Sequence, residues 1–306
     1  MKGLELSRAF YLEYGKAMLE QEFSALLPHI AVGLVGAGSE CLGFDDEISH
    51  DHDFEPGFAI FLPDETVVDR ATAFRLERAY AALPKEFMGY KRSRLSPTGG
   101  ARHGVLRLAD FLIEKTGTPD GNLSLRDFLH LPEQALLEAT NGAIFYDGDG
   151  AFTSIRQRLA YLPEDVRRKK MAGELLLMGQ AGEYNLPRAL SRGDTASAQL
   201  SEVEFVKSAL HFTFLLNKKY LPYYKWQFKA LTALPHLGDL SSDLLSLISS
   251  PASEDTVAKV ISRLTSALKE EGFALGSSAS LEECAYTVND TIADHTLRSL
   301  HILAGV

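Results

Sequence analysis

The hydrophobic period changes sharply near residue 28, and that change constrains the fold more than any other feature of the chain. Residues 4–27 place Phe10, Tyr14 and Met18 at i, i+4 spacing with charged residues between them, the pattern of an amphipathic helix that Pro28 stops. From His29 to Val35 (HIAVGLV) the chain is instead apolar and rich in β-branched residues. It runs into Gly36-Ala37-Gly38-Ser39, the pattern of a buried strand entering a tight turn. The polar stretch GFDDEISHDHDFEPG follows, then a second apolar run from Phe58 to Leu62 that Pro63 closes. Strand, polar loop, strand is an order that calls for a sheet in this half of the chain.

A helix is expected from Val67 to about Leu83, then a basic loop from Lys91 to His103, then a third strand between Val105 and Ile113. Pro119-Asp120-Gly121 is a turn signal and places a domain boundary there, dividing the chain into 1–122 and 123–306. The second part reads as almost wholly helical. Ser124 with Asp127, and Ser280 with Glu283, have the spacing of helix starts, and Asn141-Gly142 that of a helix stop. Periodic stretches cover 163–180, 196–219, 240–249 and 253–270; in the last, Val257, Ile261, Leu264 and Leu268 form one apolar stripe. Arg167-Arg-Lys-Lys170 reads as the exposed turn of a helix. The resulting fold class is α+β: a mixed β-sheet with flanking helices, followed by an all-α helical C-terminal domain.

Charge narrows the possible partners. The 31 Lys and Arg against 41 Asp and Glu give a formal charge of −10, which disfavours general binding to a nucleic-acid backbone and suits a cationic or metal-complexed substrate. Cys41 and Cys284 are the only cysteines and form no CxxC pair, so neither a disulfide framework nor a cysteine zinc site is expected, and a reducing cytosol is. The N-terminal stretch lacks the apolar core of a signal peptide, and no 18 apolar residues run together, so no membrane partner is expected.

The most informative segment joins Gly38-Ser39, at the end of the first strand, to Asp51-His52-Asp53, just before the second. In an extended segment alternate side chains share a face, so Asp51 and Asp53 present two carboxylates side by side. Two such charges repel unless a cation lies between them, and Mg²⁺ is commonly held by one or two carboxylates together with substrate phosphates. Gly38 and Ser39 bring backbone N–H groups and a hydroxyl within reach of a phosphate. Metal and phosphate together point to phosphoryl or nucleotidyl transfer.

Gly-Ser, eleven residues, then Asp-x-Asp between two strands resembles the signature of the DNA polymerase β-type nucleotidyltransferase superfamily. More narrowly, GSECLGFDDEISHDHDF, LPEQALLEATNGAIFYD, the stretch from Tyr184 to Asp194 and NKKYLPYYKW resemble bacterial proteins grouped as domain of unknown function 4037. The resemblance implies a nucleotidyltransferase-type sheet carrying the metal site and a helical domain completing the substrate cleft. It also implies transfer of NMP, with AMP from ATP the expected case, to a hydroxyl or amine acceptor with release of pyrophosphate. On that resemblance two Mg²⁺ ions are held by Asp51, Asp53 and a third carboxylate, for which Asp110 is the first candidate and Glu114 the second. Gly38 and Ser39 contact the triphosphate. The acceptor stays open among a small cationic molecule, a protein and a tRNA end.

In the helical half, Arg188, Arg192, Lys218 and Lys225 are the expected phosphate partners, with Trp226 or Tyr223 stacking on the base. A noncatalytic nucleotide-binding module that recognises a partner is the alternative on the same fold. Two rival motif readings fit less well. The dinucleotide fingerprint needs Gly or Ala where Cys41 stands, and a metal phosphohydrolase reading of His50 to Asp53 needs a helix where this segment leads into a strand. Asp45, Asp46 and Glu47 read as solvated, and Cys41 as a small buried residue.

Overall fold

The computed structural model describes residues 1–48, 54–92, 103–276 and 279–306. The N-terminal helical segment is α1 (Gly3–Phe10) and α2 (Lys16–Glu22), joined through a wider π turn at Tyr11–Gly15 and followed by a 3₁₀ turn over Ser24–His29. The helix expected over 4–27 therefore runs unbroken from Gly3 to Glu22 with one π turn in it, and the stretch up to Pro28 is a 3₁₀ turn. Next come β1 (Ala31–Leu34), the short α3 (Ser39–Leu42), β2 (Ala59–Leu62) and α4 (Arg70–Ala82), which starts where the Asp69 side chain accepts the Thr72 N–H. A small hairpin of β3 (Glu86–Phe87) and β4 (Tyr90–Lys91) precedes β5 (Gly104–Arg107) and α5 (Leu108–Thr116).

Two compact units emerge, one of residues 1–123 and 134–160, the other of 124–133 and 161–306. The chain enters the second unit as α6 (Leu125–His130), whose Ser124–Asp127 capping box is present, and returns to the first through α7 (Glu133–Thr140), β6 (Ala143–Asp147) and α8 (Ala151–Arg158). Residues 134–160, assigned above to the helical half, therefore lie in the first unit. The reason is β6, which pairs antiparallel with β1 in the order β5-β2-β1-β6. β1 and β2 are antiparallel with Val32 opposite Ile60, and β2 and β5 are parallel across α4, so the sheet is mixed.

Both faces of this sheet are covered, which explains why its inner strands are apolar without alternation. Ile60 and Leu62 pack with Phe10, Tyr11, Leu76 and Tyr80 on one side. On the other, Phe61, Phe111 of α5 and Phe152 of α8 form an aromatic trio with centroids 4.7 to 5.8 Å apart. The third strand ends at Arg107, and the stretch 108–113 expected to continue it is helical. Phe111, Leu112 and Thr116 are buried, the last two at i, i+4 spacing, while Asp110, Ile113 and Glu114 are exposed, a helix-face pattern rather than a strand.

The helical unit is built on α9 (Glu164–Met178), a further π turn at Gly179–Asn185 and α10 (Leu186–Ser191), then α11 (Thr195–Leu216), α12 (Gln227–Leu231), α13 (Ser241–Ser249), α14 (Glu254–Glu270), α15 (Leu281–Asp290) and α16 (His295–Ser299). α9 packs against α11 and α15. α11 buries Phe205, Val206, Ala209, Phe212, Phe214 and Leu215, which spread around it and make it the central helix. In α14 the buried stripe is Val257, Val260, Leu264 and Leu268; Ile261 is only half-buried.

The charge run Arg167–Lys170 is not a solvated turn. Arg167 pairs with Glu164 at 2.8 Å and Glu271 at 2.9 Å. Lys169 donates to Asn289 Oδ1 and to the Leu300 carbonyl at 2.9 and 2.7 Å, and Lys170 donates to the Gly305 carbonyl at 2.9 Å. Arg167, Lys169 and Lys170 are all buried, because each finds carbonyl or carboxylate oxygens from distant parts of the chain. Among the described residues no helix is long and apolar enough to cross a membrane.

Candidate functional site

The turn after β1 is built from two glycines in backbone conformations that L side chains rarely adopt, Gly36 at φ 106° and Gly38 at φ 125°. Gly36 is buried, Ala37 exposed, and Gly38 and Ser39 half-buried, so the turn climbs from the sheet to solvent, with Ser39 opening α3. It is held from the side by Asn141: the Gly36 N–H donates to Asn141 Oδ1 at 2.9 Å, and Asn141 Nδ2 donates to the Gly36 carbonyl at 2.8 Å. The next residue, Gly142, donates its N–H to the Cys41 carbonyl at 2.9 Å. Cys41 is buried as expected. Arg156 Nη2 donates to the carbonyls of Thr140 and Asn141, both at 2.8 Å, which finishes α7 and fixes Asn141.

Asn141-Gly142 does end a helix. Its second task, to clasp the glycine turn 105 residues earlier, is no part of the helix-stop pattern. The signal available was the short spacing between a helix stop and the apolar run AIFYD, which is β6.

Asp51 and Asp53, and with them His50 and His52, lie outside the described residues, as does most of the basic loop after Arg92. The flanks of that acidic segment are described. Asp45, expected in solvent, is buried: it accepts the Gly3 N–H at 2.8 Å, with the Lys2 ammonium 3.6 Å away. Beyond the acidic pair, Glu55 lies 3.2 Å from His103 Nδ1, and both side chains are largely covered. Asp110 is an exposed residue in the first turn of α5, and Glu114 follows one turn later. Glu114 is engaged by Lys115 at 2.8 Å, which also reaches Glu138 at 2.7 Å. Among the described residues no group of three or more His, Cys, Asp or Glu side chains could hold a metal ion.

In the helical unit Arg188 and Arg192 are one turn apart at the end of α10, and the Arg188 guanidinium lies 3.5 Å from the centroid of the half-exposed Tyr184 ring. Lys218 leaves α11 at φ 51°, followed by exposed Lys219. Tyr223 and Tyr224 are exposed, with ring centroids 4.4 Å apart. The ammonium groups of Lys225 and Lys229 lie 5.2 and 5.4 Å from the Trp226 ring. Asn217 fixes the base of this segment by donating to the Thr213 and His236 carbonyls and accepting the His236 N–H.

Beneath it lies a charged cluster that the sequence reading did not single out. His211, on α11, donates from Nδ1 to Glu174 at 2.6 Å and from Nε2 to Glu133 at 2.8 Å. Lys170 stands 3.5 Å from the same Glu133 oxygen, and the second Glu133 oxygen accepts the Leu221 N–H at 3.1 Å. Burial alone pushes the His211 pKa down, but its bonds to Glu133 and Glu174 and their charges outweigh that and hold it up at about 9. Burial likewise pushes Glu133 up, and His211 and Lys170 together bring it below its ordinary value. Tyr161 and Tyr220 are pushed up by burial first and by the Glu133 charge second.

Residues 128–227 match the family described as Domain of unknown function (DUF4037). The match takes in Glu133, Asn141, Glu174, Arg188, Arg192, His211 and the segment 218–226, and begins after the Gly38 to Asp53 motif. Among solved structures, a nucleotidyltransferase-like protein from Exiguobacterium sibiricum 255-15 is similar at 12% identity over 84% of this chain and 75% of that one, with a TM-score of 0.34. No curated protein matches.

Proposed function

We propose that this chain, which carries the DUF4037 segment, is a metal-dependent nucleotidyltransferase that moves an NMP, AMP in the expected case, from an NTP to a hydroxyl or amine acceptor with release of pyrophosphate. The observation that carries the reading is the Gly36–Ser39 turn at the end of an inner strand, clasped by Asn141, with the segment that bears Asp51 and Asp53 leading from it into the next strand.

In this reading the backbone N–H groups at Gly38 and Ser39 bind triphosphate oxygens, and the clasp on Gly36 keeps them in place before the ligand arrives. Asp51, Asp53 and Asp110 would hold the ions, and carboxylate oxygens are the donors Mg²⁺ takes. The bound ions would supply charge neutralisation at the pyrophosphate and a lower pKa at the acceptor hydroxyl. Both Asp110 and Glu114 are exposed, and Asp110 is preferred because Glu114 is already paired with Lys115. Arg188, Arg192, Lys218 and Lys225 serve as phosphate partners, and Trp226 or Tyr223 as the stacking ring.

The test is to incubate the purified chain with labelled NTPs, Mg²⁺ and a cell extract. Release of pyrophosphate with label on an acceptor, lost in both Asp51→Ala and Asp53→Ala, supports the proposal. Undiminished turnover in either variant excludes it, and tight nucleotide binding without consumption favours the noncatalytic module.

A further inference from the structure

The segment from Lys218 to Trp226 combines two features that seldom occur together. Lys218, Lys219, Tyr223, Tyr224 and Lys225 are exposed and Trp226 is half-buried, yet the backbone is tied down by Asn217 and by the buried Glu133. Asn217 pins its start through three hydrogen bonds, and Tyr220 is buried beside Tyr161, 5.4 Å between ring centroids. Leu221 gives its N–H to Glu133, a carboxylate whose side chain is 5% exposed.

Glu133 can keep that position only because its charge is matched. One of its oxygens takes the His211 Nε2–H, with the Lys170 ammonium 3.5 Å away. His211 in turn faces a second carboxylate, Glu174, through its other nitrogen. A neutral imidazole has one N–H, so with carboxylate oxygens at 2.6 and 2.8 Å from its two nitrogens one contact would become repulsive; both are satisfied by the imidazolium. The charged and titratable groups around His211 are Glu133, Glu174, Lys170, Tyr161 and Tyr220. The imidazolium thereby joins α9 and α11, within the helical unit, to Glu133 and through Leu221 to the segment 218–226.

We infer that Glu133 and His211 are positioning residues, which hold the backbone at Leu221 so that Lys218, Lys225 and Trp226 are presented to the nucleotide in one fixed arrangement. This rests on the reading above that the segment meets the nucleotide. Neither residue touches the ligand; both act through the Leu221 N–H. They differ from residues that merely stabilise the helical unit in that loss of the network frees this segment more than the helices around it.

Amide hydrogen exchange on the full-length chain tests it, comparing residues 217–226 with α14 after correction for intrinsic rates. In the unmodified protein, protection of 217–226 is expected to fall at least tenfold further than that of α14 as the pH rises through about 9. Trp226, the only tryptophan, should report the same step by its emission, and His211→Gln should lack it. Glu133→Gln and His211→Gln should lose the protection already at neutral pH, bind MgATP about tenfold more weakly, and raise KM while leaving kcat within about twofold.

Protection of 217–226 that follows α14 at every pH in the unmodified protein overturns the inference, whether or not the variants fold. So does a loosened segment with unchanged MgATP affinity. Failure of the transferase reading shows separately, as turnover that survives Asp51→Ala.

Discussion

Asn141 stands opposite Gly36 in the register that pairs Leu34 with Ala143, so its side chain prolongs the β1–β6 ladder by one step where the backbone has already turned into α7. A side-chain amide copies the peptide group there, with one donor and one acceptor. Strand order thus continues into the glycine turn, and the proposed phosphate-facing residues Gly38 and Ser39 follow directly.

Replacing Asn141 should show this pairing as stability. Asn141→Ala removes both bonds and leaves the Gly36 N–H and carbonyl without them, at a cost of about 1–3 kcal/mol in urea unfolding. Asn141→Asp should cost more at neutral pH, since a carboxylate oxygen then faces the Gly36 carbonyl, and should recover part of the loss in acid. Equal stability of the two variants at every pH would contradict the assignment.

Gly142 and Gly43 both have positive φ, 61° and 71°, but differ in their surroundings. A Cβ at Gly142 would lie 2.0 Å from the Leu34 carbonyl oxygen, whereas at Gly43 it meets nothing within 4 Å. Gly43→Ala should therefore cost about 1 kcal/mol from backbone strain alone. Gly142→Ala should cost several times more, because the β1–β6 pairing has to move. Thermal unfolding of the two variants side by side checks the ordering.

The pH dependence of stability follows from His211. Its pKa is raised on folding, so its contribution is full below the ordinary histidine value near 6.5 and is lost as the pH rises through about 9. The amount at stake is on the order of 3 kcal/mol. Unfolding free energies of the unmodified protein should fall across that window, and His211→Gln should give a flatter profile.

If the proposed chemistry holds, Asp110 and Glu114 separate by function. Asp110→Asn should reduce turnover at least a hundredfold with little change in stability, since the side chain is exposed. Glu114→Gln should leave turnover nearly intact and weaken only the partly exposed pair with Lys115. Steady-state kinetics of both variants with one NTP decides which carboxylate belongs to the site.

The parts legible in the sequence are those that a local pattern specifies. β1 and β2 appear as short apolar runs, and Ser124 and Ser280 announce their helices through capping boxes that the structure contains. β6 was not legible: AIFYD is a half-buried edge strand whose partner lies over a hundred residues away, and nothing within the segment names that partner. The run Arg167–Lys170 misled for the same reason, since charge in a sequence reads as solvation while the oxygens that satisfy it come from Glu271, Asn289, Leu300 and Gly305. His211 left a fainter mark, a titratable residue within the apolar stretch ALHFTFLL of α11, where burial demands counter-charges.

The late arrival of β6 bears on how the protein can be made and divided. A ribosome must deliver the chain through Asp147 before β1 acquires its second neighbour, so the nascent sheet waits with a bare edge while the first residues of the helical unit emerge. A fragment cut at residue 122 would keep that edge permanently and should self-associate, even though the turn signal there invites the cut.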